Sequence, residues 1–363
     1  MLAKNKQLYK STEKSSIENM AQDILCQVST EDTILKIVFF AGANGNEEYL
    51  ANRETLIASV EKEFPTTTPL VSYVAQQTAS DCLTAEIITL EQEATIIRHS
   101  NYIILESNGT RELMTGGIIP KELEKSTYAQ ALDIFEQLQE ILTAGQFAIS
   151  DIYRQWNYIQ GITVENEGSQ NYQEFNDARS IFYSHTQWDN GYPAATGIGS
   201  CAGGVMVDIY AVQGGEINSP IDNPLQIAAH SYSQKVLAQN RQAALPEKTT
   251  PKFERARITG ATIHISGTAA IRGEASSESN DILSQTEATM QIMNHLVTKE
   301  NIPIPCDDTV YDFLRVYVKH KEDIPQVQQY MEQHYPTPLK HYLVSDICRP
   351  ELLIEIEGTA RIL

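Results

Sequence analysis

The second half of this chain repeats the first at a nearly fixed spacing, and that repetition narrows its possible folds more than any other feature. Residues 102–109, an apolar run ending Ser107-Asn108-Gly109, correspond to 262–267, which ends Ser266-Gly267. The helical pattern at 128–143 corresponds to 285–298, and the strand pattern at 153–159 to 312–318. A helix opening at Tyr172 matches one opening at Tyr330, so the offsets stay between about 157 and 160 positions. Residues 205–210 match 352–357 at a shorter offset, which implies an insertion or deletion. A period this long marks a duplicated strand–helix–strand–helix–strand unit, whereas a solenoid would repeat at shorter intervals.

Strands alternating with helices place the chain in the α/β (α+β) class. The expected division is an N-terminal domain over 1–215, which holds the first, degenerate unit at about 100–215, a structured crossover over 216–250 and a C-terminal domain over 251–363. Ahead of the first unit, 34–43 reads as a buried strand ending in a glycine turn and 46–64 as a surface helix. Residues 70–76 and 83–90 are further strand candidates, rich in β-branched side chains. These first hundred residues match no recognisable family. The crossover carries Pro220, Pro224 and Pro246, the turn residues Asp222-Asn223-Pro224-Leu225-Gln226 and a short helix expected around 234–244.

Charge limits the partners. The 27 basic and 47 acidic side chains give a net charge of −20, which argues against nucleic acid and anionic membrane surfaces. An anionic small molecule would need a local cluster of arginines. The five cysteines, Cys26, Cys82, Cys201, Cys306 and Cys348, are scattered with no Cys-x-x-Cys, so a disulfide framework or zinc site is not expected and a reducing cytoplasm is. The N-terminus is polar, and no run approaches the roughly 18 apolar residues of a membrane helix.

The last strand, 352–358, concentrates the chemistry. Ile354 and Ile356 point to one face, Glu355 and Glu357 to the other. An edge strand with a solvated acidic face would explain the pattern. In a core sheet, by contrast, paired carboxylates are unfavourable unless they are partnered or used.

The second unit, about 253–363, resembles the RidA/YjgF family through Ser266-Gly267, the helix led by Gln285 and the final strand with Glu355-Ile356-Glu357. That resemblance implies tandem chorismate-mutase-like units, each a mixed sheet with helices packed on one face. The whole chain is similar to the chorismatase family, built from two such units. The residues that carry this are Thr196-Gly197-Ile198-Gly199-Ser200, Asp222-Asn223-Pro224-Leu225-Gln226, Pro251-x-Phe253-x-Arg255-Ala256, His264 to Ala270 with Gly273-Glu274, and Asp346-Ile347-Cys348-Arg349-Pro350 with Glu355.

The resemblance implies a cofactor-free enzyme of secondary metabolism that hydrolyses the enolpyruvyl ether of chorismate. Its products would be pyruvate and 3-hydroxybenzoate, a dihydroxycyclohexadiene carboxylate, or a mixture with 4-hydroxybenzoate. It implies that Glu355 is the catalytic acid and that Cys348, with Ala261, helps decide the product. Protonating a carbon requires an acid kept protonated near neutral pH, and Glu357 beside Glu355 would raise one carboxyl of the pair. Arg255, inside the matched motif, and Arg257 and Arg179 are candidates for the substrate carboxylates. Gly199 would let backbone approach the ligand, and Tyr232 is a further binding candidate. In the family pattern an arginine precedes this tyrosine; here Ser231 does.

Two alternatives stay open. A RidA-type enamine/imine deaminase would place an arginine in a Pro-Ala-Arg turn, but the corresponding turns read Pro193-Ala194-Ala195 and Pro338-Leu339-Lys340. A catalytically silent small-molecule binder would keep the fold alone. His264, between isoleucines, reads as a core histidine. No metal-ligand cluster or phosphate loop is visible, and the assembly expected is a monomer or small homo-oligomer.

Overall fold

The computed structural model describes residues 2–29, 31–166, 168–215, 217–237 and 248–363, and in it the same unit is wound three times. The third copy comprises the residues ahead of the visible repeat. It runs β1 (Lys4–Lys10), α1 (Ile17–Leu25), β2 (Thr33–Ala41), α2 (Asn46–Glu63), β3 (Leu70–Ala75) and β4 (Thr84–Leu90), in the sheet order β1-β4-β2-β3. The middle unit opens with an added strand, β5 (Tyr102–Ser107), and continues β6 (Thr110–Thr115), α3 (Thr127–Gly145), β7 (Ile152–Gln160), α4 (Asn171–Tyr183), β8 (Ala194–Ser200) and β9 (Val205–Gln213). The last unit likewise opens with β10 (Ala256–Thr259), then β11 (Thr262–Ala269), α5 (Ile282–Leu296), β12 (Thr309–Val318), α6 (Ile324–His334), β13 (Leu339–Val344) and β14 (Ile354–Ile362). Their sheets run β5-β6-β9-β7-β8 and β10-β11-β14-β12-β13, so all three units share one strand order. In each, the final strand is antiparallel to both neighbours and the two strands joined by the second helix are parallel.

This topology corrects three correspondences in the sequence: α6 opens at Ile324 and not at Tyr330, Val205 stands where Ile354 and not Leu352 stands, and the opening strands are shifted by one. The counterpart of β11 is β6; residues 102–107 stand where β10 stands, one strand further out. Both strands of the β5–β6 hairpin are apolar, so a match by hydrophobicity slips by a strand. In the crossover, residues 218–221 add an edge strand to β10 and residues 229–231 form one tight helical turn. Residues 238–244 of the short helix expected there lie outside the described residues, and 234–236 form a turn.

Local sequence explains the helices. Ser16, Ser126 and Asp281 cap α1, α3 and α5, each side chain accepting from the backbone N–H three residues on. On α3 the buried set Ala131, Ile134, Phe135, Leu138, Ile141 and Leu142 follows the 3.6-residue period and covers the middle sheet. Each unit thus has its own helix–sheet core, and a fourth cluster joins Val38, Phe40, Tyr158, Ile198, Tyr317 and Leu343 from all three units. The helices lie outside and the sheets face one another around a pseudo-threefold axis. No described helix is long and apolar enough to cross a membrane.

Around that axis the final strands carry Glu86, Asp208 and Glu357, one per unit, all buried. Each is held by the neighbouring unit. Glu357 accepts from Arg154 and from Thr196 at 2.5 Å; Asp208 pairs with Lys36 at 2.7 Å and accepts from Ser72 at 2.9 Å; Glu86 pairs with Arg315 at 2.6 Å and His341 at 2.8 Å. Thr196, Ser72 and His341 occupy the same register position on β8, β3 and β13.

Asp208→Asn should therefore destabilise the fold by about 3–5 kcal/mol, because it leaves the Lys36 ammonium buried without its counter-charge. Urea unfolding midpoints test this. The apolar pair Lys36→Met with Asp208→Leu should recover most of the loss.

Candidate active site

The strand β14 lies in the interior of its sheet, between β11 and β12, so the solvated-edge explanation of its two glutamates does not hold. Ile354 and Ile356 enter the core of the last unit, while Glu355 and Glu357, both buried, face the axis. Their surroundings differ sharply. Glu357 accepts from Arg154, from Arg315 at 2.6 Å, Tyr317 at 2.7 Å, Trp156 at 2.9 Å and Thr196. Burial would raise its pKa, but the Arg315 and Arg154 guanidiniums overcome that and hold it below the usual range.

Glu355 accepts no hydrogen bond from the described residues. Burial first, then the Glu357 charge, push its pKa up to about 8, with Arg154 opposing. Gly267 on β11 makes room for this carboxyl, since a Cβ there would collide with Glu355 Oε1. The structure thus holds one ionised and one protonated carboxyl, two residues apart. The corresponding positions of the other units are filled for packing: Met206 lies 3.8 Å from the Tyr49 hydroxyl, and Thr84 bonds His341 at 2.9 Å.

A pocket opens beside Glu355 where the last unit meets the middle one. Tyr172, Gln173 and Asn176 of α4 and Gly197 of β8 form one wall; Gly267, Ala269, Cys348 and Arg349 form another. Gln226, Tyr232, Pro251, Phe253 and Arg255 close it from the crossover side. Arg255 donates through Nη2 to the Ile227 carbonyl and to the Tyr232 hydroxyl at 2.8 Å, while its Nε is buried without a partner. Arg349 donates through Nη1 to the Glu274 carbonyl and Ser276 Oγ, both at 2.9 Å, and stands 5.6 Å above the Tyr232 ring. The Cys348 thiol is pushed up to about 12 by burial and by Glu355, so it is a neutral S–H at physiological pH.

The structure gathers Glu355, Cys348, Arg255 and Tyr232 at this pocket and places four other candidates elsewhere. Arg257 sits one strand pair beyond Arg255, where Asn218 and the Gly191 and Tyr192 carbonyls occupy its donors. Arg179 lies behind the wall, donating to Asn176 Oδ1 at 2.6 Å and stacked on Phe175. Gly199 is two residues past the pocket-facing Gly197 and packs on Asp346, whose carbonyl accepts its N–H at 2.9 Å. Ala261 is exposed at the β10–β11 turn, roughly 20 Å of strand from Gly267. His264 is buried and bonded to Thr259 at 2.8 Å, and burial keeps it neutral.

Residues not singled out in the sequence complete the wall. Arg349 lay inside a matched motif. Tyr172, Gln173 and Asn176 belong to a helix whose inward face is unusually polar, a pattern that points to a site only once that face is known to be buried.

Three comparisons follow from the whole chain. A family model described as chorismatase FkbO/Hyg5-like, N-terminal, matches residues 88–211. A 3-hydroxybenzoate synthase of Streptomyces hygroscopicus is 28% identical over 251 residues, covering 64% of this chain and 68% of the relative. A chorismatase of Streptomyces rapamycinicus is 30% identical over 229 residues, covering 59% and 65%. Among solved structures, a chorismatase crystal structure superposes with a TM-score of 0.71 at 21% identity, over 99% of this chain and 98% of that one. At that identity the structural likeness speaks for the fold.

The state of Glu355 is measurable without a substrate. Between its ordinary 4.5 and about 8, the folded protein keeps a proton that the unfolded chain has released. Stability from this group therefore falls as pH rises through that window, by at most about 1.4 kcal/mol per pH unit. Glu355→Gln should remove this decline; urea unfolding of both proteins from about pH 5 to about pH 8 checks it.

Proposed function

We propose that this chain, which is similar to chorismatases, hydrolyses the enolpyruvyl ether of chorismate, with Glu355 as the acid and 3-hydroxybenzoate and pyruvate as products. The observation that carries this reading is a buried carboxyl, protonated near neutral pH, that no hydrogen bond from the described residues ties down, in a pocket holding two guanidinium groups. Relatives named 3-hydroxybenzoate synthase and chorismatase support the substrate and reaction class.

The chemistry starts at carbon. Chorismate's enolpyruvyl methylene is weakly basic, so the proton donor must be uncharged and in contact with it. Glu355 delivers its proton there, forming a methyl group and an oxocarbenium ion at the ether-bearing carbon. The carboxylate left behind is two residues from Glu357, in a site of low polarity, and stabilises the cation at short range. Water adds to the cation, and the hemiketal collapses to pyruvate while a proton returns to Glu355. Loss of the ring 4-hydroxyl as water then aromatises the ring to 3-hydroxybenzoate, so no net water is consumed.

Arg255 and Arg349, which both line the pocket, would pair with the two substrate carboxylates, and the buried, unpartnered Nε of Arg255 supports this reading. Arg349 offers a charge in place of the arginine missing at Ser231, its guanidinium standing 5.6 Å over the Tyr232 ring. Cys348, a neutral thiol beside Glu355, fits a role in steering the product. Fusion of three units in one chain supports a monomer or small homo-oligomer. The five unpaired thiols suit a reducing compartment such as the cytoplasm.

Glu355→Gln preserves shape but cannot supply the acid proton, so pyruvate release from chorismate should fall by at least about 10²-fold. For the native protein, kcat/KM should decline as pH rises through about 8, because the free enzyme must hold the proton. Wild-type turnover in the glutamine variant would overturn the assignment.

Cys348→Ala tests a separate point. Pyruvate release should persist while 3-hydroxybenzoate gives way to the dihydroxycyclohexadiene carboxylate, read by chromatography of the ring products. An unchanged product would leave the thiol as packing.

A further inference from the structure

Further along the pseudo-threefold axis, roughly 13–20 Å of β14 from Glu355 at Thr359 and Arg361, the three units leave a second cavity. Each unit contributes to its wall: Lys6 on β1, Tyr153 and Trp156 on β7, Tyr210 on β9, and His264 and Phe313 on β11 and β12. The rings are already set against one another, with Tyr153 and His264 4.9 Å apart and Trp156 edge-on to Tyr210 at 4.9 Å. Such a wall offers ring faces and edges to a planar aromatic guest.

The cations around the cavity are not equivalent. Lys4 is bound to Glu112 at 2.6 Å and Arg361 to Asp312 at 2.5 Å, so their charges are matched. Lys6 is different. Its ammonium lies 3.8 Å from the centre of the Phe313 ring and 3.5 Å from Glu86, a carboxylate already held by Arg315 through 2.6 and 2.8 Å bonds and by His341 at 2.8 Å. It is a surplus charge in a mostly buried wall, its side chain 23% exposed, and burial pulls its pKa down to about 8. His264 uses Nε2 on Thr259, and its Nδ1 is unused among the described residues.

We propose that this cavity is a second ligand site, which takes a small aromatic carboxylate with its ring among Trp156, Tyr210 and Phe313 and its carboxylate on Lys6. A carboxylate would give Lys6 the partner that Glu86 cannot fully provide, and an uncharged ring would leave the lysine as it is. The proposal rests on this cavity alone and does not depend on the reaction assigned to the Glu355 pocket.

Calorimetric titration of the full chain with 3-hydroxybenzoate and, separately, with L-tyrosine tests it and distinguishes a benzoate-type acid from an aromatic amino acid. The titrations are run in an Arg255→Ala background, which weakens the Glu355 pocket. One saturable event with at least one of the two probes should remain there. Adding Lys6→Met should weaken it at least tenfold. So should Ala261→Trp, which places a ring at the exposed rim of the cavity and leaves every charge in place. Thermal melting reports whether Lys6→Met folds, and if it does not, Ala261→Trp decides. Absence of binding in the Arg255→Ala protein, or binding indifferent to both second changes, overturns the proposal.

Discussion

The exchange of charge between units holds this architecture in register. A carboxylate on the last strand of each unit is neutralised by a cation and a hydroxyl or imidazole from its neighbour: Glu357 by Arg154 and Thr196, Asp208 by Lys36 and Ser72, Glu86 by Arg315 and His341. All are buried, so a slip of one strand would strand charges away from water at a penalty of several kcal/mol each. Hydrophobic packing brings the sheets together without specifying angle or register; the ionic ring supplies both. The three acids and their hydroxyl or imidazole partners sit at matching ladder positions, so the internal symmetry persists in the structure even where the sequence no longer shows it.

That ring also prepares the chemistry. Glu355 and Glu357 share a strand, a face and nearly the same burial, yet they hold opposite protonation states. The difference lies in who answers them. Glu357 spends two guanidiniums and three further donors, which fixes a negative charge beside a carboxyl that has Gly267 for a neighbour. The structural anion thereby helps keep the other carboxyl neutral, and the environment divides one pair of identical side chains into anchor and acid.

Two of the three units were legible in the sequence, and the first was not. Its strands 33–41, 70–75 and 84–90 and its helix 46–63 could each be read, but α2 buries only Tyr49, Leu56 and Val60 along its 18 residues, too sparse a pattern to echo α4. The pairs that define the symmetry lie 136 or more residues apart, as in Ser72 with Asp208, Arg154 with Glu357 and Arg315 with Glu86, and no local period announces them. Glu355 and Cys348 were reached through the family resemblance, whose motif carries them on one turn and strand, and the structure sets both beside one pocket. Arg257 and Ala261 were placed wrongly for a geometric reason: being near a motif in sequence says nothing about which end of a strand faces the ligand. Arg257 meets two carbonyls before it meets the pocket, and Ala261 lies at the far end of β11.

Joining three units in one polypeptide releases each cleft from copying the others. In a ring of identical subunits, any substitution appears three times, and a buried neutral acid would burden folding threefold. Here the positions equivalent to Glu355 carry Met206 and Thr84, one packed beneath a tyrosine and the other bonded to a histidine. The chain therefore keeps a buried neutral carboxyl in one seam and uses the other two as joints, each free to drift toward tighter packing without disturbing it. Within a single chain built this way the pocket has no repeated copy to share its load, and what is lost in redundancy is gained in independence of parts.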